Sequence, residues 1–317
     1  MPTLHNQKPK RGDVTFLERD GVDLCVRLWP INEPVAIVHV LHGLAEHSAR
    51  YGRFSDALNA AGFAVIAHDH RGHGRTEGTN APFGMFSRNR DGVDLILSDV
   101  SAVEQHAREM FGDLPIILFG HSMGGLIAMN FALRNAEKLA GCALWNSNFD
   151  GGIAGRFAQL ILRYEAFRLG SDVPSRILPR LTFQAWAKQI KDRRTAFDWL
   201  SNIEAEVDAY IADPLCGWHA SVAMWRDIFQ LIYSGGDVAD ASLDAKRLPF
   251  HFLGGGEDPA TNFAKATRNQ VQRMQNAGFE DVEIQIFEDA RHETLNDHVQ
   301  SAATEAFLKW ANDLIPK

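Results

Sequence analysis

Short unbroken runs of apolar residues recur along the chain, and each one ends in glycine or polar residues. Val35 to Leu41 leads into His42-Gly43, Phe63 to Ala67 into His68-Asp69-His70-Arg71-Gly72, and Pro115 to Phe119 into Gly120-His121-Ser122. Cys142 to Trp145 leads into Asn146-Ser147, Phe250 to Leu253 into Gly254-Gly255-Gly256, and Val282 to Phe287 into Glu288-Asp289. Runs of this kind predict strands buried on both faces, as in a parallel sheet. Helical stretches such as Arg53 to Ala61 and Gly92 to Met110 separate them and supply the crossovers of an α/β protein. Upstream, the β-rich runs Val14 to Leu17 and Leu24 to Leu28 flank Asp20-Gly21, which predicts a hairpin. A last helix is expected from about Val299 to Leu314, stopping at Pro316.

One interval breaks the alternation. Between about Phe149 and Gly236 no strand run occurs. Val222, Trp225, Phe229 and Ile232 there fall at i, i+3, i+7 and i+10, which is one face of a helix. The expected organisation is a core of residues 1–148 and 236–317 with a helical cap, 149–235, inserted between two strands. The cap is rich in aromatic residues. Most are expected to pack it onto the core, while Phe149, just past a strand end, and Trp225, on the apolar helix face, are expected to line an apolar pocket.

Composition narrows the picture. At 317 residues and 45% apolar, the chain can bury a large core without disulfides. Its net charge of −8 argues against a nucleic-acid partner, whose phosphates favour a basic protein. Cys25, Cys142 and Cys216 form no disulfide framework and show no metal-ligand spacing, so no metal centre is expected. The polar, basic residues 1–12 have no apolar stretch behind them, and no run of about 18 apolar residues occurs anywhere, so a cytoplasmic protein is expected. Membrane contact is expected at most transiently, through the cap.

The strongest chemical signal is Gly120-His121-Ser122-Met123-Gly124-Gly125, a G-x-S-x-G sequence between a buried strand and the helical run Leu126 to Arg134. A serine at such a turn projects its hydroxyl above the sheet, and the helix that follows aims its N–H groups at the same place. The hydroxyl needs a base. Of the downstream histidines, His219 lies in the insertion, His251 inside a strand run and His298 beside the last helix. His292 lies in the loop after the last strand, at the serine end of the sheet. Asp258 follows the preceding strand at the same edge and is the expected acid, with Glu257 its main rival and Asp289 too near His292 in sequence. Stabilising an oxyanion calls for the N–H of Met123 and one from the loop His42 to His47, where Leu44 is the expected donor. His68 and His70 could share a strand face, but no cysteine or carboxylate pattern completes a metal site, and a structural polar loop is expected. No G-x-G-x-x-G or P-loop sequence follows a strand.

Four segments carry a family resemblance: His42 to Tyr51, Asp69 to Gly78, Gly120 to Gly125 and Asp289 to Asn296. Together they resemble the monoacylglycerol lipase and lysophospholipase-like branch of the α/β-hydrolases, from about residue 35 to the C-terminus except for most of the insertion. The resemblance implies an eight-stranded, mostly parallel sheet with a cap over the nucleophile. It implies hydrolysis of fatty acyl esters, of monoacylglycerol or lysophospholipid type, without metal or organic cofactor. It places triad roles on Ser122, Asp258 and His292 and oxyanion roles on Leu44 and Met123. Glu46 and Arg50 could reach a polar head group, but at i, i+4 they are expected to pair with each other. Two rivals stand beside this reading. One is another chemistry on the same fold, acting on thioesters, amides or C–C bonds or transferring acyl groups. The other is a non-catalytic ligand-binding protein.

Overall fold

A computed structural model describes residues 10–315. The polar stretch 1–9 and the expected helix stop at Pro316 lie outside the described residues. Eight strands form one sheet: β1 (Asp13–Arg19), β2 (Val22–Trp29), β3 (Ala36–Leu41), β4 (Phe63–His68), β5 (Ile116–His121), β6 (Gly141–Trp145), β7 (Phe250–Gly255) and β8 (Val282–Phe287). Their order is β1-β2-β4-β3-β5-β6-β7-β8. The expected hairpin is β1-β2, with Leu17 opposite Leu24, and β2 also pairs antiparallel with β4. Every other pairing is parallel. Helices α1 (Gly52–Ala60), α2 (Gly92–Phe111) and α3 (Met123–Asn135) make the first crossovers. Within the insertion run α4 (Gly152–Leu169), α5 (Leu178–Leu181), α6 (Phe183–Gln189), α7 (Glu204–Ala212) and α8 (Val222–Gly236), and then α9 (Leu243–Arg247), α10 (Lys265–Asn276) and α11 (Gln300–Asp313) complete the chain.

The apolar runs explain the layering. Strands β3 to β7 are buried along their whole length. One sheet face packs against α2, α3 and α8, through residues such as Ile96, Ile127 and Ile228. The opposite face packs against α1 and α11, through Phe54, Leu58, Phe307 and Trp310. Burying such side chains stabilises each layer by about 1.5–3 kcal/mol per residue. Strand β8 departs from the expectation of burial on both faces: Glu283, Ile284 and Gln285 are exposed, because β8 is the sheet edge and the alternating Glu283 and Gln285 face water. Helix α8 belongs to the core cluster with α2 and α3, and it also touches α4 above it. Its apolar periodicity reported a buried face but not which surface that face covers.

Helix starts have local causes. Asp91 caps α2 by accepting from Val93 N and Asp94 N, and Ser221 caps α8 by accepting from Met224 N. Beside β4, the fully buried Arg71 makes a two-pronged pair with Asp99, donating from Nη2 at 2.8 Å.

At the C-terminal ends of β3 and β4 the residues His68 and His70, read in sequence as structural, join a chain of buried histidines. His39 Nε2 lies 3.1 Å from His68 Nδ1, and His68 Nε2 lies 3.2 Å from His70 Nδ1. His70 N donates to His42 Nε2 at 2.9 Å, and His70 Nε2 lies 3.2 Å from His42 O. Burial, and then the neighbouring imidazoles, push His68 and His70 well below the usual histidine range. Burial likewise lowers His42, and it takes His73 down to about 3. These rings fold as neutral groups. In the unfolded chain they take up protons below about pH 6.5, at a cost to folding of about 1.4 kcal/mol per pH unit for each. Their contribution is therefore complete above pH 6.5 and is lost as the pH falls toward the depressed native values. Asp227, raised by burial to about 7, and the raised histidines His121 and His298 work in the opposite sense but are outnumbered. Urea denaturation at pH 7.5 and 5.5 is expected to show a loss of at least about 2 kcal/mol at the lower pH. Equal stability at the two values would contradict this account.

Candidate active site

The turn from β5 into α3 is built by close backbone approach. A side chain at Gly120 would place its Cβ 2.3 Å from Gly124 O, and one at Gly124 would place it 2.1 Å from Leu41 O. At Gly125 the Cβ would stand 1.9 Å from Ser147 Oγ. With those glycines in place, Ser122 is held at φ 54°, ψ −117°, a conformation costly for a side-chain-bearing residue. Ser122 N donates to Trp145 O at 2.9 Å, and Ser147 Oγ donates to Ser122 O at 2.9 Å.

The side chain of Ser122 meets two distant residues. His292 Nε2 lies 3.0 Å from Ser122 Oγ, and His292 Nδ1 lies 2.9 Å from Asp258 Oδ2. Asp258 is fully buried and accepts from Ala260 N and Thr261 Oγ1, each at 2.9 Å, and from Asn146 Nδ2 at 3.3 Å. Burial alone would raise its carboxyl, but His292 and these donors outweigh burial and hold it below the usual aspartate range. The rivals lie elsewhere. Glu257 is exposed, Asp289 pairs with His298, and His251 accepts from Trp145 Nε1. His219 is exposed. The backbone N–H groups of Leu44 and Met123 have no acceptor among the described residues, and both residues line the cavity that Ser122 faces.

A family model described as serine aminopeptidase, S33, matches residues 32–299. The chain belongs to this hydrolase family. Human monoglyceride lipase is 29% identical over 282 residues, covering 87% of this chain and 82% of that protein. The monoacylglycerol lipase of Mycolicibacterium smegmatis is 25% identical, covering 95% and 96%. Among solved structures, a thermostable carboxyl esterase from Bacillus coagulans in complex with glycerol matches with a TM-score of 0.84 at 20% identity, covering 97% of this chain and 100% of that one. A soluble variant of monoglyceride lipase from Saccharomyces cerevisiae matches at 0.75 and 17%, covering 100% and 99%. The fold is the α/β-hydrolase fold, and the chain falls in the monoacylglycerol lipase-like branch.

In this S33 hydrolase, Ser122 and His292 open onto a cavity of about 490 Å³. Its lining includes the apolar residues Ala158, Leu178, Phe183, Trp186, Trp225 and Phe229 and the polar residues Glu46, His121, Asn146 and Asn148. Trp225 is in this lining. Phe149 is not. The chain turns at Asn146, at φ 50°, and Phe149 is buried in the core against Gly235 and Gly236 instead. Its nearness in sequence to a strand end said nothing about that reversal.

Several contributors were invisible in the sequence. Trp199 of the insertion stands 4.9 Å from His292, ring to ring, and Leu200 O accepts from Glu293 N at 2.7 Å, so the insertion holds the histidine loop directly. The expected Glu46–Arg50 pair forms at 2.7 Å, but Arg50 also grips both oxygens of Glu293, at 2.6 and 2.7 Å. Glu46 accepts from Gly43 N at 2.6 Å, and His121 lies between Glu46 Oε1 at 3.4 Å and His292 O at 3.0 Å. One buried charge cluster thus ties together the loops that carry Leu44, Ser122 and His292. Burial opposes the charge on Glu46 and Glu293, yet Arg50 keeps both below the usual glutamate range, and Glu46 in turn raises His121. Only the i, i+4 member of this cluster leaves a trace in the sequence, since Glu293 stands 243 positions from Arg50.

Replacing Arg50 with Met would leave two carboxylates buried beside each other without their cation. Arg50→Met is expected to lose about 3–5 kcal/mol of stability in urea denaturation. A loss under about 1 kcal/mol, the size of an exposed pair, would contradict the brace.

Proposed function

We propose that Ser122 is the nucleophile of a two-step ester hydrolysis. It attacks the ester carbonyl while His292 Nε2 takes its proton, and Asp258 holds the Nδ1 proton and stabilises the imidazolium. The oxyanion sits between the N–H groups of Leu44 and Met123, each expected to contribute about 3 kcal/mol of barrier stabilisation. His292 returns the proton to the departing alcohol, then activates water to release the acid. The observation that carries this reading is the Ser122–His292–Asp258 chain of contacts, at 3.0 and 2.9 Å, opening into an apolar-walled cavity.

The substrate class follows from that cavity. The apolar part of its lining suits a fatty acyl chain, and its polar members, His121 and Asn146 among them, suit a small alcohol head group. Monoacylglycerol-like esters fit this division, in keeping with the activity that the relatives' names state. The proposed cap is the part of the insertion above α8, about residues 151–220, because α8 packs in the core and the expected boundary at 235 runs past that change of packing. We place the protein in the cytoplasm, a compartment that suits its three free cysteines.

The proposed cap also offers a surface for lipid. Ile153, Phe157, Leu160, Tyr164 and Phe167 on α4 are exposed at i, i+4, i+7, i+11 and i+14, with Phe167 87% accessible. Arg156, Arg163 and Arg168 are exposed on the same helix and suit an anionic lipid surface. No described helix is long and apolar enough to cross a membrane.

Wild type is expected to hydrolyse medium- and long-chain p-nitrophenyl esters and one of 1-monoacylglycerol and lysophosphatidylcholine. Ser122→Ala is expected to lose at least about 10⁴-fold in kcat. Turnover of short esters alone, or activity that survives in the variant, would overturn the proposal. Phe157→Glu with Phe167→Glu is expected to reduce co-sedimentation with anionic vesicles at least about fivefold while leaving hydrolysis of a soluble short ester unchanged. Unchanged sedimentation would remove the lipid surface from this account.

A further inference from the structure

The spacing of the cysteines along the chain pointed to no metal ligands, yet the fold brings three such groups together outside the catalytic cavity. Ligand atoms of His47, Asp213 and Cys216 all lie within 4.8 Å of one another, and His47 Nε2 is 2.9 Å from Asp213 Oδ2. Among the described residues no other group of three His, Cys, Asp or Glu side chains meets that criterion. His47 belongs to the loop that carries Leu44. Asp213 and Cys216 belong to a tight turn just after α7, closed by Cys216 N donating to Asp213 O at 3.0 Å and Leu215 N to Asp213 Oδ1 at 2.8 Å. Two bonds to Ala45 O, from Gly217 N at 3.0 Å and Tyr210 Oη at 2.9 Å, hold that turn against the Leu44 loop. The three side chains are therefore brought together by the fold itself.

We propose that His47, Asp213 and Cys216 form a binding site for a zinc-class divalent ion that staples the insertion to the Leu44 loop. A nitrogen, oxygen and sulfur donor set suits borderline ions such as Zn²⁺, whereas Ca²⁺ and Mg²⁺ select oxygen ligands. In the free protein His47 Nε2–H faces Asp213 Oδ2; on binding, the Nε2 proton leaves to solvent and Nδ1 takes one up, so the neutral ring ligates through Nε2 while Asp213 Oδ2 turns to the ion. The Cys216 thiol releases its proton to solvent and binds as thiolate, while water fills the fourth position. Neutral imidazole, carboxylate and thiolate together carry two negative charges, which balance the ion. The nearby Arg50 charge is already taken up by Glu46 and Glu293. None of the three ligands lines the catalytic cavity, so the ion acts as a clamp and not as a participant in catalysis. It joins segments 166 residues apart, and an ion that binds the folded chain alone raises its stability.

The test uses the full chain stripped with a chelator and titrated separately with Co²⁺ and Zn²⁺. Wild type is expected to develop a thiolate-to-cobalt charge-transfer band at one ion per chain, and Zn²⁺ is expected to raise its Tm in a way that EDTA reverses. Cys216→Ser, shown folded by circular dichroism, is expected to lose the band. Asp213→Asn, which keeps the thiol, is expected to bind Zn²⁺ at least about tenfold more weakly. Absence of the band in wild type would overturn the proposal. So would a band that persists in Cys216→Ser, or Zn²⁺ affinity unchanged in Asp213→Asn.

Discussion

The structure depends on one close approach of backbone to backbone. Gly124 sits against Leu41 O so tightly that even a methyl group has no room, and Gly120 sits against Gly124 O in the same way. This contact locks the end of β3 to the start of α3 and sets Ser122 in a conformation it would not adopt alone. The parallel register then places three loops at the same end of the sheet. The loop after β3 brings Leu44, the turn after β5 brings Ser122, and the loop after β8 brings His292. The strain at Ser122 is held by burial on both sheet faces, where most of the favourable free energy of this fold resides.

Electrostatics refines what packing positions. Asp258 is fully buried, and the charge and hydrogen bond of His292, together with the donors Thr261 and Ala260, hold its carboxyl below the usual aspartate range. At the cavity's edge, Glu46, His121 and Glu293 of its lining join Arg50 in a second buried set with mixed charge. Such clusters contribute less to stability than apolar packing would, but they impose one geometry on the loops they join. Here those loops carry Ser122, His292 and the Leu44 N–H, so this charge cluster sets the relative geometry of the groups proposed to react.

Much of this was legible in the residues. The apolar runs marked every strand from β3 to β8, and for β3 to β7 the reason is that strands buried on both faces cannot hide their composition. The order serine, acid, histidine singled out Ser122, Asp258 and His292 before any distance was known. What stayed hidden involved a change of direction or a long separation in sequence. Phe149 follows a reversal at Asn146 that no pattern announces, and the apolar face of α8 reads the same whether it covers a cap or a core. Arg50 and Glu293, or His47 and Cys216, are unrelated by spacing and come together only in the folded chain. β8 failed the expectation of full burial because it lies at the edge, and its alternating glutamate and glutamine carried that information.

The most direct test of the central claim is intact-protein mass spectrometry after exposure to a fluorophosphonate probe, which reacts with a serine only where a base and an oxyanion site activate it. Folded wild type is predicted to gain a single adduct, mapped to Ser122 by peptide analysis, and folded Ser122→Ala to gain none. A folded wild type that stays unlabelled, or an adduct that persists in Ser122→Ala, would contradict the assignment of Ser122 as an activated nucleophile.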